Sequence, residues 1–477
     1  MLAIDLGTGS CRSAVFDGSM RMHRPCAVEY PLITISDREV EQDANAWWNA
    51  AYESMRGALD AFGGDRRFIG AIAVSSQGIS LLAVARDGKP MANAISWLDT
   101  RADSEADDLR ARFGAGALYR RTGKRISPVY TLPKILWLKN HRKGVFERCW
   151  KLMLPLDYIQ FRLCGKCVTD RTMASGTMLF DVRERVWMRD VMDNLGIPEE
   201  KLPCVGEAGG ACGMLRPELA DALGLRRDTR VAIGGQDQKC ASLGAGLNDG
   251  NATASLGTGC AVSMRCDRPP LDGQMRIPFF AGLSGNTWIL EGVLNTAAAS
   301  YQWFRANFAP TMSFEQLNQA AENAAGPNRV RFYPNLQGGS SPNWNDSGGI
   351  LANLSLSTGI GDAARAVMEG VGYQIRSNLE VMSGIAGRPS EIRLFGGGTK
   401  SDLWCRIIAE ITGLPTVRLS CTETALIGAA MLARQSIGSA SSGEALPDRV
   451  FRPAPDRMEA YEAAYRDYEE KRVRYYS

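Results

Sequence analysis

The chain has 477 residues, 45% hydrophobic and 22% charged, with a net charge of +3. That length points to two large domains, and the composition to an ordinary globular enzyme. The charge is dispersed without basic runs, which argues against a nucleic-acid surface or a polybasic membrane patch. No apolar run is long enough for a bilayer and no secretory pattern opens the chain, so a cytoplasmic protein is expected. Only two histidines occur, His23 and His141, neither beside a glycine turn. A Ser-His-Asp or Cys-His hydrolase is therefore disfavoured, and a carboxylate is the expected general base. Among the twelve cysteines, Cys164 and Cys167 have Cys-x-x-Cys spacing. With no second pair or histidine nearby, reduced thiols are the default.

Residues 2–17 read as a β-hairpin: Leu2 to Leu6, the turn Gly7-Thr8-Gly9-Ser10, then Arg12 to Phe16. Backbone amides in such a turn can nest an anion, and Asp5 at the strand end suits a hydrated magnesium ion. A plain hairpin turn reads the same way. Residues 44–62 predict a helix with Trp47, Ala51, Met55 and Leu59 on one face. Ile69 to Val74 predicts a buried strand ending in Ser75-Ser76-Gln77-Gly78, and Ser80 to Ala85 the next strand. In Ile95 to Arg101, Trp97 offers an aromatic face and Asp99 and Arg101 charged forks, which suits sugar recognition. The alternative is a surface Asp99–Arg101 pair and a core tryptophan. Residues 131–163 are expected to be mostly helical, and Ala174-Ser175-Gly176-Thr177 to belong to a loop and strand near a cleft.

Val231 to Ile233 predicts a short strand running into Gly234-Gly235, with Asp237 and Gln238 opening a helix. A carboxylate just past a strand end is well placed as a base, although by itself Asp237 would read as a helix cap. Leu-Gly-Thr-Gly at 6–9 returns at 256–259, with an Asp eight residues later in each copy, Asp17 and Asp267. A repeated unit of this kind implies a duplicated fold, and two opposed Gly-Thr-Gly hairpins could grip a polyphosphate from both sides. Beyond it, a helix is expected to carry Ala297, Ala298 and Gln302, and 332–350 to form a mobile or substrate-facing loop. A helix is expected over 361–383. Ile392 to Phe395 leads into Gly396-Gly397-Gly398 and a helix from Asp402, which is a nucleotide-binding corner. Ala425 to Ala433 reads as a small-residue helix and the last twenty or so residues as an amphipathic one. P-loop and Rossmann fingerprints are absent from the sequence.

The segments AIDLGTGSCRSAVFD, WLDTRA, DYIQFRLCGKCVTDRTMASGT, GGQDQ, SLGTG, FGGGTKSDLW and ETALIGAAMLA, in this order, resemble the FGGY carbohydrate kinases nearly end to end. The resemblance implies an α/β fold of duplicated actin/Hsp70-like (ribonuclease H-like) ATPase domains, 1–244 and 245–477, flanking a central cleft. It implies transfer of the ATP γ-phosphoryl group, with Mg²⁺, to a hydroxyl of a small ketose or polyol, D-xylulose or a similar pentulose first. Asp237 matches the family's catalytic base, Gln238 its neighbour at the substrate, and Asp5 the acid near Mg²⁺. Thr8, Gly9, Ser10 and Arg12 match the first phosphate loop, and Thr258 and Gly259 the second. Gln302, Gly397 and Asp402 fall where the family contacts the nucleotide. Gln77 and Gly78 fall where it reads the substrate, with Trp97, Asp99 and Tyr130 as further contacts.

There are departures. Gly78-Ile79 stands where xylulokinases usually carry Met-His, Gly338-Gly339-Ser340-Ser341-Pro342 replaces Gly-Glu-Arg-Thr-Pro, and the Arg-Glu of glycerol kinases is missing near position 77. These leave the sugar open. The Gly-Thr-Gly-Ser-x-Arg hairpin also resembles the autoinducer-2 (dihydroxypentanedione) kinases. A rival of another class is an actin/Hsp70-like ATPase switch with no sugar acceptor. Dimers are common in the family, and the oligomeric state stays open.

Overall fold

The computed structural model describes residues 1–439 and 443–476. Two mixed sheets, each of seven strands, frame the molecule. The first runs Cys26–Glu29, Ser10–Val15, Leu2–Leu6, Ala71–Ser76, Arg230–Ala232 and Ala211–Met214, with Gly235–Gln236 also beside Ala71–Ser76. The second runs Trp288–Leu294, Cys260–Cys266, Ala252–Ser255, Ile392–Phe395, Thr416–Leu419 and Pro447–Phe451, with Phe279–Ala281 beyond Trp288–Leu294. Read in that order, neighbours in the first sheet pair antiparallel, antiparallel, parallel, parallel, antiparallel. The second sheet has the same series. Each Leu-Gly-Thr-Gly closes the hairpin at the same place in its sheet, so the four-residue repeat marks a duplication of whole halves around a central cleft.

Strand alternation decides what each face of the first sheet meets. Leu2, Ile4, Leu6, Ile72, Val74 and Val231 point into one core with Trp47, Met55, Leu59, Ile159 and Leu163. That core is covered by the helices Ala44–Phe62 and Pro155–Cys164. The opposite face carries Ala3, Ala71, Ala73 and Ala232 and packs with Leu426, Ala429, Ala430 and Ala433. The helix Thr424–Ser436 of the second half therefore lies directly on the first sheet. Small side chains permit that approach, and the same alternation leaves Asp5 and Ser75 on this face.

Helix Thr424–Ser436 also crosses helix Asp237–Gly244 at backbone distance. A Cβ on Gly428 would sit 2.0 Å from the carbonyl oxygen of Cys240, and one on Gly244 2.0 Å from that of Thr424. Each helix thus supplies a glycine where the other's backbone passes.

Helices Ala44–Phe62, Ile360–Ala386, Asp402–Thr412 and Pro455–Tyr476 occupy the segments expected to be helical. Residues 131–163 differ from expectation: Lys151–Met153 is a strand paired with Leu82–Val84 between helices Lys143–Arg148 and Pro155–Cys164. Pro155 favours an extended residue before it, and Leu154 has φ −88° and ψ 165°. The run 174–177 begins inside a short helix, Arg171–Ser175, capped by the Asp170 carboxylate. The 332–350 segment is anchored. Ser341 is fully buried, its hydroxyl lies 2.7 Å from Asn378 Oδ1, and its carbonyl accepts from Gln374 and Asn378 side chains at 2.9 Å. Among the described residues no helix is long and apolar enough to cross a membrane.

Gly428→Ala should move the urea unfolding midpoint down by the equivalent of about 1–3 kcal/mol, because the methyl group has only backbone to displace. An unchanged midpoint would show that the crossing tolerates a side chain.

Candidate active site

Three parallel strands end in register. Asp5 lies opposite Ser75 and Ser75 opposite Gly235; Leu6, Ser76 and Gln236 form the next row. Asp237 follows as the first residue of its helix. Two strand spacings separate Asp5 from Gly235, about 10 Å between backbones, so their neighbouring side chains share one end of the sheet. Gly234 fits because it lacks a side chain: a Cβ there would sit 1.8 Å from the Val74 carbonyl oxygen. Its amide donates to Gln160 Oε1 at 2.7 Å. The helix cap is Gln236, whose side chain accepts from the Lys239 amide at 3.3 Å. Asp237 Oδ1 instead accepts from Gln236 Nε2 at 2.5 Å and from the Gln238 amide at 2.7 Å.

Burial pushes the Asp237 carboxyl up to about 7, helped by the charges of Asp5 and Glu291 and opposed by the Gln238 amide and Lys239. Burial pushes Asp5 up to about 6, with Glu423 adding to it. The Ser75 hydroxyl, donating at 2.8 Å, and Arg12 pull the other way. A carboxylate that titrates near neutrality can take a proton from an alcohol and return it to water. Lys239, fully buried, pairs with Glu291 of the second sheet and stands 3.5 Å over the Phe280 ring. Lys124 stands 3.4 Å over the same ring and donates to the Phe279 carbonyl. The sequence reading missed this cluster, which has no local spacing to announce it.

The first Gly-Thr-Gly turn is held from several sides. The Gly7 amide donates to the Ser10 carbonyl at 2.9 Å and the Tyr30 amide to that of Gly9 at 3.0 Å. Gln42 Nε2 donates to the Thr8 carbonyl at 2.8 Å, and Trp97 Nε1 to Thr8 Oγ1 at 2.9 Å. Gln77 Nε2 donates to Gln42 Oε1 at 3.2 Å, tying this turn to the next strand end. Gln77 Oε1 is buried without a hydrogen-bond partner among the described residues. A buried acceptor in that state has a lone pair left for a donor from outside the chain. Gly78 abuts Gln236, and Ile79 adopts φ +53°, a strained conformation for a β-branched residue. Arg12 reaches Glu423 of the second half at 3.5 Å.

The second turn is built likewise. The Thr258 carbonyl accepts from the Ala297 and Ala299 amides at 2.8 and 3.2 Å, and a Cβ on Gly259 would lie 2.8 Å from the Leu294 carbonyl oxygen. The Gly398 amide donates to the Leu256 carbonyl at 2.9 Å, so the triple-glycine turn rests on this hairpin. Gly397 has nothing within 4 Å of a Cβ position and is exposed. Gln302 is exposed on helix Ala298–Phe308. Where the first copy has Asp5, the second has Ser255, whose hydroxyl accepts from the Ala261 amide at 2.9 Å. Asp5 and Asp237 therefore both belong to the first half.

Models of the FGGY family of carbohydrate kinases match this chain over 1–244 (N-terminal domain) and 252–436 (C-terminal domain). The chain belongs to the FGGY family of carbohydrate kinases. It is 29% identical to a xylulose kinase of Bacillus subtilis, over 95% of this chain and 91% of that one. It is 31% identical to a glycerol kinase of Brucella suis, over 92% and 90%. Its fold matches a ligand-bound xylulose kinase from Lactobacillus acidophilus with a TM-score of 0.93 at 27% identity, covering 99% of this chain and 97% of the other. As a member of the family, this kinase transfers phosphate from ATP to a carbohydrate hydroxyl.

Not every motif residue of this kinase faces open space. Asp99 is fully buried; it accepts from the Val40 amide at 2.7 Å and from Arg101, which also pairs with Glu41. The Asp99–Arg101 pair is thus internal rather than on the surface, and Trp97 is 37% exposed rather than in the core. Asp402 is engaged by Arg418 at 2.5 Å and by Arg449. Burial, and then the charge of Glu291, push the Tyr130 hydroxyl upward. Gln238 is half-buried one residue past Asp237. Gln42, Gln236 and Glu423 lie around the same strand ends; Gln236 falls inside GGQDQ and Glu423 opens ETALIGAAMLA, whereas Gln42 lies in no quoted motif.

Raised carboxyls lower stability as they ionise. The contribution of Asp237 is full below its unfolded value near 4 and is lost as pH rises through about 7. Asp237→Asn should therefore unfold at a higher temperature than the parent at pH 8, with the difference vanishing near pH 4. Equal melting points at both pH values would mean that Asp237 is not held in its raised state.

Proposed function

We propose that this kinase phosphorylates a pentulose, D-xylulose first among them, with Asp237 accepting the proton of the attacked hydroxyl. The carrying observation is the Asp237 carboxyl itself: half-buried, pushed up to about 7, and set at the same end of the sheet as Asp5. The xylulose kinases of B. subtilis and L. acidophilus among its relatives support the choice of sugar. Gln77, Gly78, Trp97, Tyr130 and Gln238 would line the acceptor side, with Asp99 fixing the loop that presents Trp97. Thr8, Gly9, Ser10 and Arg12 would meet the phosphates from one half, Thr258 and Gly259 from the other. Gly397 and Gln302 would border the nucleotide, with Asp402 shaping that corner through its arginines.

The donors also fit Mg²⁺. Asp5 offers a hard oxygen, and both raised carboxyls gain from a nearby dication. Among the described residues no group of three or more His, Cys, Asp or Glu could hold a metal. That suits an ion that keeps its waters and takes one or two carboxylates plus phosphate oxygens. Asp5 would hold it, and when bound it supplies charge neutralisation for the phosphates. Residues 1–244 and 245–477 would act as the two bodies that close on the substrates, excluding water from the transfer. A kinase that draws on ATP and a free pentulose would work in the cytoplasm.

A coupled assay of ADP release over D-xylulose, D-ribulose, erythritol, glycerol and dihydroxypentanedione tests this. Pentulose-dependent turnover should dominate; a better rate with dihydroxypentanedione or glycerol reassigns the sugar, and sugar-independent hydrolysis favours the ATPase switch. Asp237→Asn should bind ATP normally and lose about 10²–10⁴-fold in kcat. In the parent, kcat/KM should fall on the acid side of about pH 7, where Asp237 protonates. Near-parental turnover in the Asn variant would remove Asp237 from the base role.

A further inference from the structure

We propose that Cys164 and Cys212 form a peroxide-reactive dithiol that closes to a disulfide, leaving Cys167 of the Cys-x-x-Cys motif out. The two sulfurs lie 3.5 Å apart, on helix Pro155–Cys164 and edge strand Ala211–Met214. A bond length near 2.05 Å is then a small side-chain rotation away. The backbones are close because Gly213 has no side chain: a Cβ there would lie 3.2 Å from Cys164 Cβ and 3.3 Å from its sulfur. Both cysteines are half-buried rather than sealed in the core. The chemical bias falls on Cys164. Its thiol is drawn down by the Cys212 S–H and by Arg216 and Lys166, against burial, whereas the Cys212 thiol is pushed up. Cys167 is pushed up by burial and by Asp157, and is the poorer nucleophile.

The steps balance. The Cys164 thiolate attacks one peroxide oxygen, the O–O bond breaks, and a sulfenic acid forms as the leaving hydroxide takes a proton to become water. The Cys212 sulfur then displaces the sulfenic oxygen, the S–S bond forms, and that oxygen leaves as a second water with the Cys212 proton. Two thiols and one hydrogen peroxide give one disulfide and two waters, and a cellular thiol can reverse it. The crosslink would tie together two elements that brace the turn before Asp237. Gln160, one helical turn before Cys164, accepts from the Gly234 amide, and Ala211–Met214 pairs with the strand that leads into Gly234.

The test uses the full-length kinase, treated with hydrogen peroxide, alkylated, digested and mapped by mass spectrometry. Exposed Cys204 reports that the oxidant has reached the protein. Most of the chain should lose about 2 Da and yield a peptide joining Cys164 to Cys212, reversed by dithiothreitol. Cys212→Ser should instead leave a dimedone-reactive sulfenic acid on Cys164, and Cys167→Ser should crosslink like the parent. A Cys164–Cys167 bridge, or Cys164 and Cys212 both alkylated after Cys204 has oxidised, overturns the proposal. Mapping of the parent protein decides the matter even if a variant fails to fold.

Discussion

Two half-buried carboxyls at one end of a sheet, on either side of the strand Ala71–Ser76, set the terms for this molecule. Asp5 and Asp237 repel each other when ionised, and both are pushed up by burial. The fold tolerates them because each has local support: the Ser75 hydroxyl for Asp5, the first-turn amide and Gln236 side chain for Asp237. The sheet face that carries Asp5 is lined with alanines, so the helix Thr424–Ser436 of the opposite half can come close. The duplication would allow a matching acid in the second half, yet Ser255 stands there. The halves share a frame and differ at this position, with Asp5 in one and Ser255 in the other.

The buried pair Lys239–Glu291 belongs to the same economy of charge. It spans the two halves, and its members pull the Asp237 carboxyl in opposite directions. Removing one partner would leave a charge unpaired in a dry site, which is where deleting one member of an ion pair is most damaging.

Much of this was legible along the chain. The Leu-Gly-Thr-Gly copies, the face of Trp47, Met55 and Leu59, and the glycines before Asp237 and after Phe395 all carry local signatures. Periodicity and turn chemistry write these into a dozen residues at a time. The rest depends on partners far apart in sequence. Gln42 joins Thr8 to Gln77 and looks like any strand glutamine. Asp99 sits in a motif that reads as a sugar contact, but the Val40 amide and Arg101 engage its oxygens inside the protein. Lys151–Met153 read as a continuation of helix because its strand partner, Leu82–Val84, lies far upstream.

The crossing at Gly244 and Gly428 has a mechanical consequence. Two helices that touch backbone to backbone have no knobs to lock into holes at that point. At such a joint neither helix can gain a side chain without being pushed off the other. The spacing of the two helices, and with it the seat of the second half's helix on the first sheet, is thus set by two missing side chains.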